Sequence, residues 1–148
     1  MVDATTNRDA TELPSRLRLA IARTARRLRQ EADGGLSASL TSALATIERN
    51  GPLTPSRLAE LERVKRPTAT RLVVRLEENG LVARTAAPGD ARSSLIAVTP
   101  RGRALLRRMR TRKNAFLARR LERLEPEELR TLEDAAQILE RVLEDERA

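Results

Sequence analysis

The chain has 148 residues, enough for one domain with a buried core, and it contains neither histidine nor cysteine. Without these residues it cannot form disulfides, thiol or imidazole catalytic centres, or zinc sites built from Cys and His. We therefore expect no enzyme activity, no cofactor and no metal. The net charge is +8, and 27 of the 29 basic residues are arginines, which suit bidentate contacts to phosphates and base edges.

The charge is unevenly distributed along the chain. Residues 53–112 carry 14 basic and 5 acidic residues, a net charge of +9, whereas residues 122–148 carry 4 basic and 10 acidic residues, a net charge of −6. A basic middle segment predicts an anionic partner. No apolar segment approaches the roughly 18 residues of a membrane span, and the first 12 residues do not resemble a signal peptide. A cytoplasmic, nucleoid-associated protein without a membrane partner is expected.

Two helices are predicted before the basic segment. Leu13, Leu17, Ile21 and Leu28 share one face of an amphipathic helix over residues 13–31. Ser37 then caps a second helix, which the sequence Asn-Gly-Pro at residues 50–52 ends. The first ten residues are expected to fray.

The next segment has the pattern of a helix-turn-helix. Thr54 followed by proline predicts an N-cap and the first turn of a short helix. After a connector at residues 62–65, Pro67 can open a second helix, and Asn79 with Gly80 ends it. Two helices joined by such a tight connector are typical of DNA-binding proteins.

A β-hairpin is predicted directly after the second of these helices. Residues 81–85 and 93–99 have strand character, and residues 86–92, "AAPGDAR", have the composition of a turn. A long helix follows from Pro100 to about Leu124, and a last helix follows Pro126. The predicted fold class is mainly α, with the hairpin forming a small wing beside the helix-turn-helix.

The candidate DNA contacts lie on the second helix of the helix-turn-helix and on the wing. Short polar and cationic side chains on that helix can reach phosphates and base edges in the major groove, although a merely solvated helix face remains an alternative for the arginines. The helix candidates are Lys65, Arg66, Thr68, Thr70, Arg71 and Arg75. On the wing, Arg92 suits the minor groove, whereas the anionic Asp90 is predicted to have a structural role in the turn.

These elements, in this order, resemble the MarR family of bacterial winged helix-turn-helix regulators. The resemblance lies in "LTPSRLAELERVKRPTATRLVVRLEENGLVART", residues 53–85, and in the wing "PGDARSSLIAVTPRG", residues 88–102. It implies an obligate homodimer that places two recognition helices in successive major grooves and two wings in the flanking minor grooves. It also implies an N-terminal arm and dimerisation helix at 1–36, a DNA-binding lobe at 37–100 and C-terminal dimerisation helices at 101–148, forming one integrated domain.

The sequence departs from the family pattern at two positions in the connector. Arg63 lies where many members have a turn glycine, which indicates a non-glycine connector that is tolerable if its φ angle remains negative. Lys65 lies where a serine or threonine often caps the recognition helix, so a cap is lost and a charge that attracts phosphate is gained.

The sequence therefore predicts a sequence-specific regulator of transcription that binds double-stranded DNA at a pseudo-palindromic operator. The resemblance implies a repressor that a small-molecule effector releases, through effector-binding residues that the sequence does not identify. Two alternatives remain open: an effector-independent DNA-binding protein of the same fold, and a winged-helix RNA-binding protein. Phe116 is the only aromatic residue, which argues against base stacking on single-stranded RNA.

Overall fold

The structure, a computed structural model, describes residues 4–87 and 89–144, with side chains for 12–86, 89 and 94–144. Six helices and one hairpin follow in the predicted order, so the mainly α fold with a β wing is confirmed. The elements are α1 (Ala4–Glu31), α2 (Ala38–Asn50), α3 (Pro55–Leu61), α4 (Arg66–Glu78), β1 (Val82–Ala87), β2 (Asp90–Val98), α5 (Pro100–Leu121) and α6 (Pro126–Glu144).

Side-chain caps start α2 and α3 where the sequence predicts them. The Ser37 hydroxyl accepts a hydrogen bond from the Leu40 amide at 3.2 Å, and the Thr54 hydroxyl accepts one from the Arg57 amide at 3.2 Å. Each bond satisfies an amide that has no partner within its own helix. Because these interactions span three residues, they were readable from the local sequence.

Four predicted boundaries were wrong. Helix α1 begins at Ala4 rather than at residue 13, because a helix can extend beyond the apolar face that marks it in the sequence. Helix α5 ends at Leu121 rather than near Leu124. The hairpin strands are also longer than predicted, since β1 reaches Ala87 and β2 starts at Asp90. Within the predicted turn, Ala86 pairs with Ser94 and Ala87 pairs with Asp90 across the strands.

The core lies between α2, α3, α4 and the hairpin. Its largest fully buried side chains come from all four elements and are Leu44, Ile47, Leu58, Val73, Leu76 and Ile96. Burying each aliphatic side chain of this kind contributes about 1.5 to 3 kcal/mol. The base of the hairpin is also held by Leu53, whose backbone pairs with Ile96 through hydrogen bonds of 3.1 and 2.8 Å. Helix α4 is thus fixed on one side by packing and exposed on the other.

The junction between the hairpin and α5 is unusually close. The Thr99 hydroxyl donates to the Gly80 carbonyl at 2.7 Å and accepts from the Gly102 amide at 3.1 Å. A Cβ atom added at Gly102 would lie 2.3 Å from the Leu81 carbonyl oxygen and 2.9 Å from a Val98 methyl. Glycine is therefore required here by the approach of another backbone segment.

The chain divides into two compact units, with the boundary between Lys113 and Asn114 inside α5. In the first unit, Leu106 of α5 joins the core described above. In the second, Phe116 is buried and the Arg120 guanidinium lies 3.4 Å from its ring centroid. Helix α6 of the second unit buries none of its described side chains.

Candidate nucleic-acid interface

Helix α4 has one buried and one exposed face. Its buried side chains are Ala69, Val73 and Leu76, which fix the rotation of the helix about its axis. The side chains on the opposite face are exposed: Arg66, Pro67, Thr70, Arg71, Val74, Arg75 and Glu78. We call this set the α4 outer face. It combines three guanidinium groups with a short hydroxyl and a small apolar side chain, a mixture that suits DNA grooves.

Five of the six residues predicted on the second helix are exposed in or directly before α4. Arg66, Thr70, Arg71 and Arg75 belong to the outer face, and Lys65 precedes it as the N-cap. Thr68 does not join them. Its side chain is half-buried and lines a cavity on the side of α4 that faces α2.

The N-terminus of α4 has no side-chain cap. Lys65 has extended backbone angles and makes no side-chain cap hydrogen bond, as its identity predicted. Pro67 has no amide hydrogen, and the Thr68 and Ala69 amides donate to the Lys65 carbonyl at 2.9 and 3.1 Å. Among the first amides of α4, the Arg66 amide is therefore the one left for a phosphate, which the helix dipole and the lysine both favour there. Arg66 is held by the Ser56 hydroxyl of α3, which accepts a hydrogen bond from its guanidinium at 2.6 Å.

The connector between α3 and α4 corrects one prediction. Arg63 has a φ angle of 53°, so the negative φ on which the sequence prediction depended is not present. Its amide donates to the Glu60 carbonyl at 3.2 Å, and the Val64 amide donates to the Ala59 carbonyl at 2.9 Å. These two bonds form a Schellman motif, whose geometry requires a left-handed residue whatever its side chain. The tight connection overrides the conformational preference of arginine, at a cost of about 1 to 2 kcal/mol.

The second Schellman motif ends α4 with the residue type that such a turn favours. Gly80 has a φ angle of 69°, and its amide donates to the Glu77 carbonyl at 2.8 Å. The next amide, of Leu81, donates to the Leu76 carbonyl at 2.9 Å, and both leucines are buried in the core. This motif turns the chain directly from α4 into the wing.

The wing is joined to α4 by an ion pair. The Arg84 guanidinium of β1 donates to the Glu77 carboxylate of α4 at 2.8 Å, and both side chains are partly exposed. The backbone of Asp90 and Arg92 belongs to β2, but their side chains lie outside the described residues. The predicted roles of these two residues therefore remain predictions.

A cavity of about 650 Å³ lies next to the helix-turn-helix, within the first unit. It is lined by α1, α2, the connector, α4 and α5, through Ala25, Leu28, Arg29, Ala38, Ser39, Thr41, Ser42, Ala45, Glu62, Val64, Thr68, Leu72 and Lys113. Its volume is in the range of small-molecule sites. Apolar side chains, hydroxyl groups, two cationic groups and the carboxylate of Glu62 share the lining, and none of the described lining residues is aromatic.

Sequence reasoning missed three residues of this region. Val74 is 40% exposed in the middle of the outer face, where helical spacing from Thr70 and Arg71 could have placed it. Ser56 and Glu62 interact with residues 10 to 20 positions away, and no local pattern reveals such pairs. Among the described residues, no group of acidic side chains could hold a metal ion, and no helix is long and apolar enough to cross a membrane.

Comparison with known proteins places this arrangement in a family. A family model described as MarR family matches residues 36–94, which include α2, the helix-turn-helix and most of the wing. HTH-type transcriptional regulators from Mycobacterium bovis and Mycobacterium leprae are 37% and 36% identical over 128 residues. Each alignment covers 86% of this chain and 90% of the relative. The chain belongs to the MarR family.

Solved structures agree with this assignment. A MarR family protein from Bacillus stearothermophilus has a TM-score of 0.79 and 27% identity, with 93% of this chain and 96% of that chain covered. A mutant of MepR from S. aureus, bound to an oligodeoxyribonucleotide, shares the fold with a TM-score of 0.68 at 17% identity, over 88% of this chain and 97% of that chain. As a MarR family member, the chain is a transcriptional regulator with a helix-turn-helix. The relatives are regulators rather than enzymes, in agreement with the prediction from composition.

Proposed function

We propose that this regulator binds double-stranded DNA with the α4 outer face in the major groove. The observation that carries the proposal is the outer face itself, where Arg66, Arg71 and Arg75 project from a helix whose other face is anchored in the core. A rigid helix presents its side chains in a fixed geometry, which sequence-specific reading requires. The DNA-bound structure of MepR supports the use of this fold on DNA.

The predicted residues at and before α4 have separate roles in this proposal. Lys65 and the Arg66 amide bind a phosphate, while Arg71 and Arg75 reach base edges or phosphates. The Thr70 hydroxyl donates to the Arg66 carbonyl at 3.0 Å, so its oxygen is left to accept a hydrogen bond from a base. Val74 can contact a thymine methyl group.

Three further predicted residues lie outside the outer face. Thr68 is half-buried and lines the cavity, so this proposal assigns it no DNA contact. Arg92 enters the minor groove from the wing, while Asp90 holds the turn.

We infer that the working form is a homodimer. In α1 the apolar side chains of Leu13, Leu17 and Ile21 are 52%, 40% and 49% exposed, and in α6 those of Leu132 and Val142 are 48% and 60% exposed. Apolar faces of this extent are unfavourable in water, and contact with a second copy would bury them. Two lobes related by twofold symmetry would then bind the two halves of a pseudo-palindromic operator.

We further propose that the protein is a repressor and that a small molecule in the cavity releases it from DNA. The cavity favours this function over an effector-independent one, because it is large enough for a ligand and adjoins α4. Its apolar lining, with Arg29, Lys113 and Glu62 as charged groups, suits an amphipathic molecule with polar groups. The molecule acts only if it binds the DNA-incompetent state more tightly than the competent one. A ligand that binds tightly without weakening DNA binding would contradict this mechanism.

The experiment that tests the DNA-binding proposal is selection of bound duplexes from a random pool, followed by a salt titration on the selected sequence. We expect a pseudo-palindrome with half-sites about one helical turn apart, bound far more tightly than random DNA. Such a regulator acts at the bacterial nucleoid, in the cytoplasm. Selection of no motif, with binding that only decreases as salt increases, would contradict sequence-specific regulation and would favour nonspecific or RNA binding.

A further inference from the structure

We propose that Glu62 is a positioning residue that fastens the helix-turn-helix connector to α2 and thereby sets the affinity for specific DNA. Its carboxylate accepts hydrogen bonds from two hydroxyl groups of α2. The Ser42 hydroxyl donates to Oε2 at 2.7 Å, and the Thr46 hydroxyl donates to Oε1. We call these three side chains the Glu62 latch. The inference rests on the proposed DNA-binding function and adds to it a residue that does not touch DNA.

The latch fixes a segment whose local sequence disfavours the conformation that it adopts. Glu62 is the C-cap of α3, and the next residue, Arg63, has the left-handed conformation that disfavours arginine. Lys65 then starts α4 without a side-chain cap. Since the local sequence does not favour this connector, contacts from elsewhere in the fold must hold it. Hydrogen bonds to a carboxylate are stronger than those between neutral groups, and Thr46 is buried, so water competes poorly for its bond.

The latch also lies at the cavity. Glu62 and Ser42 are both lining residues, together with Val64 and Thr68 of the connector and α4. A molecule in the cavity that donates hydrogen bonds would therefore compete with the α2 hydroxyls for the same carboxylate. This gives the proposed effector a direct route to the start of the recognition helix.

Electrostatics and positioning predict opposite changes in the affinity for the selected duplex when Glu62 is removed. Loss of a carboxylate from a DNA-binding lobe increases the attraction of the lobe for phosphates, so electrostatics alone predicts tighter binding to any duplex. Loss of the latch predicts weaker binding to the selected duplex only. Glu60 provides the matched control, because it is an exposed carboxylate in the same lobe that pairs with Arg57 within α3.

The experiment compares three variants. They are Glu62→Ala, Glu60→Ala and a double variant that combines Ser42→Ala and Thr46→Val, which leaves the net charge unchanged. We expect Glu62→Ala and the double variant each to bind the selected duplex about tenfold more weakly, while binding to random duplex is unchanged or tighter. The triple variant, which combines Glu62→Ala with the double variant, should lose no more affinity for the selected duplex than either alone, because all three changes break the same latch. Glu62→Gln, which keeps one acceptor oxygen, should recover part of the loss. Glu60→Ala should bind both duplexes at least as tightly as the wild type.

Amide exchange tests the latch without DNA. The Arg63 and Val64 amides are protected by bonds to α3, so they should exchange faster in Glu62→Ala, whereas core amides of α2 and α4 should not. Unchanged exchange at these two amides, or a Glu62→Ala variant that binds the selected duplex as tightly as Glu60→Ala, would overturn the inference. If the wild type selects no duplex, the proposed function fails, and the exchange measurement alone then decides whether the latch exists.

Discussion

On the α4 outer face, the arginines differ in how freely they can reach a ligand. Arg66 is held by Ser56, whereas Arg71 and Arg75 project from the second and third turns of the helix, on its exposed side. A guanidinium that reaches a guanine makes two parallel hydrogen bonds and so distinguishes it from other bases. Arg71, near the middle of this face, is the strongest candidate for such a contact.

We expect Arg71→Ala to cost about 1 to 3 kcal/mol of binding free energy for the selected duplex, if Arg71 reads a base as proposed. It should also relax the sequence preference at one position in each half-site. Arg16→Ala, which removes an exposed charge from α1, is the control and should weaken binding only slightly. Fluorescence anisotropy with the selected duplex and its single-base variants measures both effects. An equal loss of affinity for all of these duplexes would instead indicate that Arg71 contacts a phosphate.

Arg63 is a residue whose own conformation opposes folding. We expect Arg63→Gly to increase the free energy of unfolding by about 0.5 to 1 kcal/mol, because relief of the left-handed strain exceeds the entropy that glycine adds to the unfolded chain. Arg63→Ala removes the same charge but retains the Cβ atom, so it should give no such gain. Urea denaturation of both variants checks this, and equal stabilities would contradict the role of φ.

Among the secondary-structure elements, the wing and α4 form one assembly. The Gly80 turn leads from α4 into β1, the Arg84 to Glu77 ion pair joins the two elements, and Thr99 connects the end of α4 to the start of α5. An element held at both of its ends is positioned more accurately than a free hairpin. The orientation of the wing relative to α4 is therefore set by the Gly80 turn together with these side-chain contacts.

The substitution Gly102→Ala tests this junction, because two effects predict opposite changes in the stability of the protein. Helix propensity alone predicts that Gly102→Ala stabilises the protein by about 1 kcal/mol. The approach of the Leu81 carbonyl predicts instead a destabilisation of about 1 to 3 kcal/mol, since a Cβ atom would force backbone segments apart. Thermal or chemical denaturation gives the sign. A stabilised variant would show that the junction can relax without cost.

For the wing, we expect Arg92→Ala to weaken binding and to relax the preference at the outer edges of the DNA site, where a minor-groove arginine would lie. The charge-matched control is again Arg16→Ala, which lies outside the lobe. Selection from a random pool with each variant identifies the positions affected. An Arg92→Ala variant with unchanged affinity and the same selected motif would remove the wing from the proposed contact surface.

Across the chain as a whole, charge and exposed apolar surface suggest different tasks for different regions. The basic residues 53–112 include the helix-turn-helix and wing, whereas the acidic residues 122–148 include an α6 whose apolar side chains are exposed. An acidic segment is poorly suited to DNA, and an exposed apolar face is suited to another protein surface. A basic surface for DNA and a separate apolar surface for a second copy are what a regulator needs if it binds DNA as a dimer.

We expect the wild type to sediment as a dimer and Leu132→Glu to sediment as a monomer, because a carboxylate would be placed in the proposed interface. Leu132 is 48% exposed, so the substitution should leave the folded chain intact. Gln137→Glu introduces the same side chain on the opposite face of α6 and should remain dimeric. The monomeric variant should also bind a two-half-site duplex at least about tenfold more weakly. A monomeric wild type at micromolar concentration would contradict the dimer.

The order of the elements, the caps at Ser37 and Thr54, the stop at Gly80 and the basic helix-turn-helix could all be predicted from the sequence, because capping, turns and apolar periodicity act over a few residues. The folded structure was needed to establish that Thr68 faces a cavity, that Arg63 is left-handed, that Gly102 meets the Leu81 carbonyl and that Glu62 accepts hydrogen bonds from α2. Each of these four features depends on which distant segment packs against the residue. The apolar periodicity of one helix does not reveal which segment that is. The fold of this regulator could thus be predicted from interactions between residues close in sequence. The position of α4, in contrast, is set by contacts between segments far apart in the chain.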